Sequence, residues 1–297
     1  VAGNGICRCK KIPESMGKEV IDIIELLKDS TGVDISCFDD SFLLKSIEKR
    51  LTVKAIPSLD DYFHYLKIHQ KEVVSFLDSL HISFSEFFRN PLTFAYLEQF
   101  ILPQLLVGKR KKADKEIRIW SAACASGQES YSLAILFDEL RENSSEKLDF
   151  RIFATDNSHL ELSKAKEGTF NAYTLSKITL KRLNTYFVQQ EDHYTVSASL
   201  KNQVDFSYFD LLKDQRTCPT PSIYGNFDLV MCSNLLFYYK PACRRHILEK
   251  IGNTMAPGAY LVTGETEREI LMKYNYQEVF ENSAIFRKSD KEIIYGN

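Results

Sequence analysis

The chain has 297 residues, of which 44% are hydrophobic, 26% charged and 12% aromatic. Those proportions suit a globular protein and exclude disordered, collagen-like and low-complexity architectures. Lys+Arg 38 against Asp+Glu 40 gives a net charge of −2, so no global charge points to a nucleic acid or an anionic membrane surface. At roughly 100–200 residues per domain, the length predicts two domains, one of them small.

The seven cysteines (Cys7, Cys9, Cys37, Cys124, Cys218, Cys232 and Cys243) are odd in number and scattered. None forms the doubled C-x-x-C pattern of a zinc site, and Cys7-x-Cys9 has no matching second half, so no metal site is expected. Reduced thiols are the expectation, as in the cytosol. With no signal-like apolar region and no stretch near the roughly 20 apolar residues of a membrane span, a cytoplasmic, soluble protein is predicted.

In chain order, Val20–Leu27 and Phe38–Ile56 carry apolar residues at helical spacing, Phe42, Leu43, Ile47 and Leu51 forming one side of the second. Asp39, Asp40 and Ser41 suit its N-terminus. Pro57-Ser58 breaks it and caps a third helix over Leu59–His69, and a fourth stretch ends near Leu80. Pro91–Val107 is also helical in pattern. The basic run from Gly108 to Lys115 has no interleaved aromatic residues and is read as a solvated linker rather than a nucleic-acid patch.

From Ile117 the rhythm changes. Apolar runs at Ile117–Trp120, Phe150–Ala154, Phe227–Cys232 and Ala259–Thr263 alternate with helical stretches at Glu129–Leu140, Leu160–Lys166 and Ala242–Met255. That alternation predicts a mostly parallel sheet covered on both faces. Tyr276–Phe280 and Ala284–Arg287 flank Glu-Asn-Ser and predict a terminal antiparallel hairpin. Between Phe170 and Asp205 the pattern is irregular, with one helix over Ser176–Phe187 and short strands around His193–Val196 and Val204–Phe206.

Ligands of open α/β sheets bind beyond the carboxyl ends of the strands. After the first strand, Ser121-Ala-Ala-Cys-Ala-Ser-Gly127-Gln-Glu129 is a loop of small side chains leading into a helix, so a ligand can approach its backbone and the helix N–H groups. With Gly127 its only glycine, it is neither G-x-G-x-x-G nor a P-loop. After the second strand, Asp156 is placed either to accept hydrogen bonds from two ribose hydroxyls or to cap the next helix; position alone fits both. After the third, Ser233 and Asn234 precede Phe237, Tyr238 and Tyr239, of which at least two are expected to be packing aromatics. A small-residue loop, a ribose acid and a terminal hairpin together suggest S-adenosylmethionine rather than a nicotinamide cofactor.

Four segments sharpen this. Ser83-Phe-Ser85-Glu-Phe87-Phe88-Arg89-Asn90 resembles N-x-T-x-F-F-R-D/E, and Trp120 to Ser132 resembles W-S-A-A-x-x-x-G-E-E-x-Y-S. Phe153-Ala-Thr-Asp156 with Leu162, Ala165 and Gly168 matches a second-strand block, and Phe227 to Tyr239 resembles F-D-x-I-x-C-R-N-V-x-I-Y-F. Gly264-Glu-Thr-Glu267 is similar to a G-x-x-E motif. These are motifs of the CheR family, bacterial chemotaxis receptor methyltransferases that methylate receptor glutamates, and in order and spacing they cover nearly the whole chain.

The resemblance implies a Rossmann-like class I methyltransferase domain (mostly parallel sheet, terminal antiparallel hairpin) over residues 91–297, with a small inserted subdomain near 170–206. A small all-α domain over residues 1–90 precedes it. It implies a protein-glutamate O-methyltransferase using S-adenosylmethionine, with S-adenosylhomocysteine as product. Ser83, Ser85, Arg89, Ala123, Gly127, Glu129, Asp156, Asp210, Leu211, Ser233 and Asn234 would contact the cofactor, and Arg89 and Tyr238 would lie nearest the reaction centre. Lys45, Lys49, Arg50 and Lys54 would present a basic face to the acidic helical bundle of a chemoreceptor. Ser233, Gln128, Asp210, Ser83 and Ser85 depart from the family's usual residues but stay polar. The segment around Gln189–Ser199 matches a subdomain that grips a receptor's tether peptide in some members; here it is short and lacks the Gly-x-Gly turn, so tether binding is not expected. A monomer is expected. The alternatives are a methyltransferase of the same chassis with another protein acceptor, and a non-catalytic signalling module that binds the cofactor.

Overall fold

The computed structural model describes residues 17–81, 83–110, 116–143, 149–222 and 224–288. Cys7, Cys9 and residues 111–115 of the basic run lie outside them. The chain divides into two compact units, Val1–Ile82 with Leu236–His246, and Ser83–Leu235 with Ile247–Asn297.

In the first unit, α1 (Lys18–Thr31), α2 (Asp40–Lys54), α3 (Leu59–Ile68) and α4 (Gln70–Ser79) bury one apolar stripe each. Val20, Ile23, Ile24 and Leu27 meet Leu43, Ile47, Tyr62, Leu66, Val73 and Phe76 in a common core. The helix starts at Asp39 and Ser58 are the expected ones: Asp39 accepts the Ser41 N–H and Ser58 the Asp61 N–H, while Gly32 closes α1 at φ +71°. The Leu236–His246 stretch joins this unit through its backbone: Asp39 N–H donates to Tyr238 O at 2.7 Å and Lys240 N–H to Cys37 O at 2.9 Å.

Glu72 of α4 is buried with a full set of partners. Arg50 Nε and Nη2 each donate to it at 2.7 Å, Tyr62 Oη donates at 3.0 Å, and Lys54 Nζ lies 3.1 Å away. Burial by itself pushes the Glu72 carboxyl up. The hydrogen bonds from Arg50, Lys54 and Tyr62 outweigh it and hold the group below the ordinary carboxylate range. This bears on the expected receptor face: the Arg50 guanidinium is committed to the ion pair with buried Glu72, while Lys45, Lys49 and Lys54 stay exposed on α2, Lys54 with its ammonium near Glu72.

The second unit starts with α5 (Pro91–Tyr96), a π-helical turn over Leu97–Ile101, and α6 (Leu102–Arg110). Pro103 explains the wide turn: it has no N–H to donate and its ring crowds the carbonyl one turn back, so the helix loosens just before it. The helix continues through Gly108, and Lys109 is not part of a solvated linker. Its Nζ lies 2.9 Å from Asp228 Oδ2, with both side chains only 6% exposed.

Then follow β1 (Ile117–Ala122), α7 (Gln128–Glu142), β2 (Phe150–Asp156), α8 (His159–Glu167), β3 (Thr169–Asn171), α9 (Leu180–Tyr186), β4 (Phe187–Gln190), β5 (His193–Val196), α10 (Ala198–Lys201), β6 (Val204–Tyr208) and β7 (Phe227–Met231). After these come α11 (Pro241–Thr254), β8 (Met255–Val262), α12 (Arg268–Met272), β9 (Tyr276–Glu278) and β10 (Ile285–Lys288), the last of the described elements. The main sheet runs β6-β2-β1-β7-β8-β10-β9. Its first five strands are parallel, and β10 is antiparallel to both neighbours. The order reverses at β1, between β2 and β7, where such sheets open a crevice. Trp120, Phe153, Phe209 and Phe227 are fully buried around it, and Trp120 Nε1 donates to Thr155 Oγ1 at 2.9 Å.

The insert differs in detail from the sequence expectation. Thr179 caps α9, so the helix starts later than Ser176, and Phe187 opens a strand instead of closing the helix. β3, β5 and β4 form a separate antiparallel sheet, closed by the Glu191-Asp192 turn.

Arg50→Met is expected to destabilise the full chain by about 3–5 kcal/mol, because it strands a buried charge. Equilibrium denaturant unfolding measures it, and a loss below about 1 kcal/mol would make the pair an ordinary surface contact. Since the folded carboxyl titrates below its unfolded value of 4.5, this stability is present above that pH and lost as the pH falls through the depressed folded value.

Candidate functional site

The loop from β1 to α7 is held in a conformation most residues avoid. Ala123, Ala125 and Gly127 have φ of +60°, +47° and +91°, and each left-handed non-glycine residue costs about 1–2 kcal/mol. Asp156 holds the loop: its Oδ2 accepts the Ala125 N–H at 2.9 Å and its Oδ1 the Ser158 N–H at 2.9 Å. Cys124 N–H donates to Thr155 O at 2.8 Å. The helix cap of α8 is Ser158, which accepts the Glu161 N–H, so Asp156 is left to brace the loop. A side chain at 127 would be strained twice over: φ is +91°, and a Cβ there would lie 3.0 Å from Ala165 Cβ and 3.1 Å from Phe206.

Glu129, in the first turn of α7, faces Ser121 at the end of β1 and Ser233 after β7. Burial pushes its carboxyl up to about 7, against the hydrogen bond from Ser121 Oγ (3.0 Å) and the nearness of Ser233; Glu267 raises it further and the Arg89 charge opposes. Ser233 Oγ is buried and has no hydrogen-bond partner of normal geometry. Burial also pushes the Cys124 and Cys232 thiols well up, so neither is a nucleophile.

Asn234 has φ +59°, and its N–H donates to Glu267 Oε2 at 2.7 Å. The Gly264 N–H reaches the same oxygen at 2.8 Å. The fully buried Glu267 thus ties the loop after β7 to the loop after β8. Sequence reasoning noted its motif but not its role; a glutamate closing G-x-x-E after a buried strand was the available signal. Ser121 was missed as a site residue too.

Asp210 Oδ1 accepts the Leu212 and Lys213 N–H groups at 2.9 and 3.0 Å, so its carboxylate shapes its own turn, with Leu211 buried beside it. Tyr208, at the end of β6, stacks on His159 at 4.6 Å. Burial, then the nearby Asp210, Asp214 and Asp156, raise its phenol. Arg89 lies with its guanidinium 5.1 Å from the Phe84 ring centroid and donates to Phe84 O at 3.2 Å. Ser85 is half-buried and Ser83 exposed. Arg89, Glu129, Ser233 and Glu267 are therefore brought together electrostatically, with Ala123, Gly127, Asp156 and Asn234 in the loops that frame them. Tyr238 groups with the first unit, its ring edge-on to Phe42 at 4.9 Å.

A buried acid, a cation, a braced small-residue loop and a buried hydroxyl are chemically suited to S-adenosylmethionine. The fold is that of a Rossmann-like methyltransferase domain. A family model described as "CheR methyltransferase, SAM binding domain" matches residues 83–285, and one described as "CheR methyltransferase, all-alpha domain" matches residues 18–81. The chain belongs to the CheR methyltransferase family. It is 27% identical over 278 residues to the chemotaxis protein methyltransferase of Listeria monocytogenes, covering 94% of this chain and 100% of that protein. The Escherichia coli protein of that name is 29% identical over 254 residues, 82% of each chain. A 104.1 kDa protein of Rhodobacter capsulatus matches at 27% over 86% of this chain, which spans only 25% of it. The crystal structure of DszA carbon methyltransferase overlays with a TM-score of 0.38 at 16% identity, covering 57% of this chain and 34% of that one. Among the described residues no helix is long and apolar enough to cross a membrane, and Cys37, Cys124, Cys218, Cys232 and Cys243 form no disulfide.

Gly127→Ala is expected to destabilise the protein by about 1–3 kcal/mol and to weaken S-adenosylhomocysteine binding, since the loop must shift to admit the methyl group. Thermal unfolding and calorimetry check both; unchanged values would show that the loop tolerates a side chain there.

Proposed function

We propose that the protein transfers the methyl group of S-adenosylmethionine to glutamate side chains of a chemoreceptor. The observation that carries this reading is the buried carboxyl of Glu129, held by Ser121 at the end of β1 and close to Ser233 after β7, in a chain of the CheR family. Glu129 receives the ammonium of the cofactor, Ser233 and Asn234 line the same pocket, and Arg89 forks onto a carboxylate. Asp156 accepts from the ribose while bracing the loop of Ala123 and Gly127. Asp210 and Leu211 bound the adenine end, with Ser83 and Ser85 as polar contacts.

When bound, the cofactor supplies an electrophilic methyl on a cationic sulfur. The acceptor carboxylate, with a pKa near 4.3, is ionised at neutral pH and needs no general base. Transfer would break the methyl–sulfur bond as the methyl–oxygen bond formed, leaving a thioether and an ester with no proton to move, so the residues around the pocket would need only to hold and align the two groups. The work of the protein is alignment and exclusion of water. Tyr238, four residues beyond Asn234, is the candidate for orienting the acceptor oxygen. Lys45, Lys49 and Lys54, exposed on α2, are the candidates for meeting an acidic receptor helix.

The test uses methyl-labelled S-adenosylmethionine with the full chain and a receptor fragment carrying its methylation region. Label that alkali releases as methanol is the expected result. Alkali-stable label would point to another acceptor atom, and bound cofactor without transfer would leave a binding module; either contradicts the proposal.

A further inference from the structure

The insert between α8 and β6 returns two cations to the segment that carries Arg89. Lys177, in the turn before α9, places Nζ 2.7 Å from Glu86 Oε2 and 2.9 Å from the Arg89 carbonyl oxygen. Arg182, on α9, donates to Glu139 through Nε (3.0 Å) and Nη2 (2.7 Å) and to Glu98 at 3.0 Å. Its guanidinium carbon sits 4.8 Å from the centroid of Phe88.

Between these two contacts the backbone is strained. Phe88 has φ +49°, a region that aromatic residues adopt only when their surroundings enforce it. Its N–H donates to Ser132 Oγ at 3.1 Å, and Phe94 packs edge-on at 5.1 Å. The next residue is Arg89, whose side chain folds back toward Phe84 and whose charge acts on Glu129. Where the guanidinium lies therefore depends on how firmly the turn at 88–89 is held. Ser132 and Arg182 hold Phe88; Lys177 alone among these groups holds the Arg89 backbone, and it does so while paired with Glu86 in the same turn.

We propose that Lys177 is a positioning residue that fixes the backbone at Arg89, so that the guanidinium engages the cofactor in the Glu129 pocket. The insert is then part of the cofactor site rather than an appendage to it. This rests on the assignment of Arg89 as a cofactor contact in the proposed function.

A double-mutant cycle on S-adenosylhomocysteine affinity tests it, using the full chain with Lys177→Met, Arg89→Ala and the pair. Lys177→Met is expected to weaken binding about fivefold to tenfold when Arg89 is present and less than about twofold in the Arg89→Ala background. Lys177→Arg, which keeps the donor, should restore affinity to within about threefold of wild type, and thermal midpoints should be unchanged throughout. Equal losses in both backgrounds, or no loss with Arg89 present, would overturn the proposal. The cycle needs only product binding, so absence of methyl transfer by the wild-type chain would defeat the proposed acceptor and leave this result readable.

Discussion

An acid buried where the sheet changes direction is the constraint around which the second unit is arranged. Glu129 has left water without gaining a full ion pair: two serines flank it, Glu267 opposes its charge, and Arg89 only partly answers it. A carboxyl in that state stays protonated to about neutral pH, at a free-energy cost that a cationic ligand removes. The loop between β1 and α7 must then pass close by with small side chains and left-handed backbone, which is why Asp156 is spent on bracing Ala125. Glu267 does the equivalent on the other side by tying Asn234 to Gly264.

The other buried charges of the molecule are treated differently. Glu72 is answered by Arg50, Lys54 and Tyr62, and Lys109 by Asp228, which also accepts the Arg118 N–H. Such complete sets secure packing and leave nothing for a ligand. The contrast between satisfied acids and the under-satisfied Glu129 separates scaffold from site within one chain.

Much of the architecture was legible because it is local. The alternation of apolar runs with helical spacing from Ile117 onward, the caps at Asp39 and Ser58, and the terminal hairpin all follow from neighbours within a few residues. What escaped depends on distant partners. β3 and β4 are short strands of mixed polarity that exist only because β5 lies between them, so Phe187 read as the end of a helix. Lys109 looked like part of a solvated run because Asp228 is more than a hundred residues away. Arg50 looked like part of a basic surface because Glu72 sits on another helix. At the site, position after a strand pointed to the loops that hold Gly127, Glu129, Asp156 and Asn234, and the family resemblance gave those residues their roles. Position could not decide between a ribose-binding and a capping Asp156, did not foresee that Asp156 braces the loop, and could not show how closely Ala165 and Phe206 approach Gly127.

The most direct test of this account is calorimetric titration with S-adenosylhomocysteine from pH 5 to 8, in buffers of differing ionisation enthalpy, with wild type and Glu129→Gln. A carboxyl titrating near 7 must ionise to meet an ammonium, so wild-type affinity should rise by up to about tenfold per pH unit below 7 and then level. At pH 7 binding should release about half a proton, and in Glu129→Gln both the rise and the release should vanish. A wild-type affinity independent of pH, or a pH dependence that survives in Glu129→Gln, would contradict the claim that this buried acid organises the site.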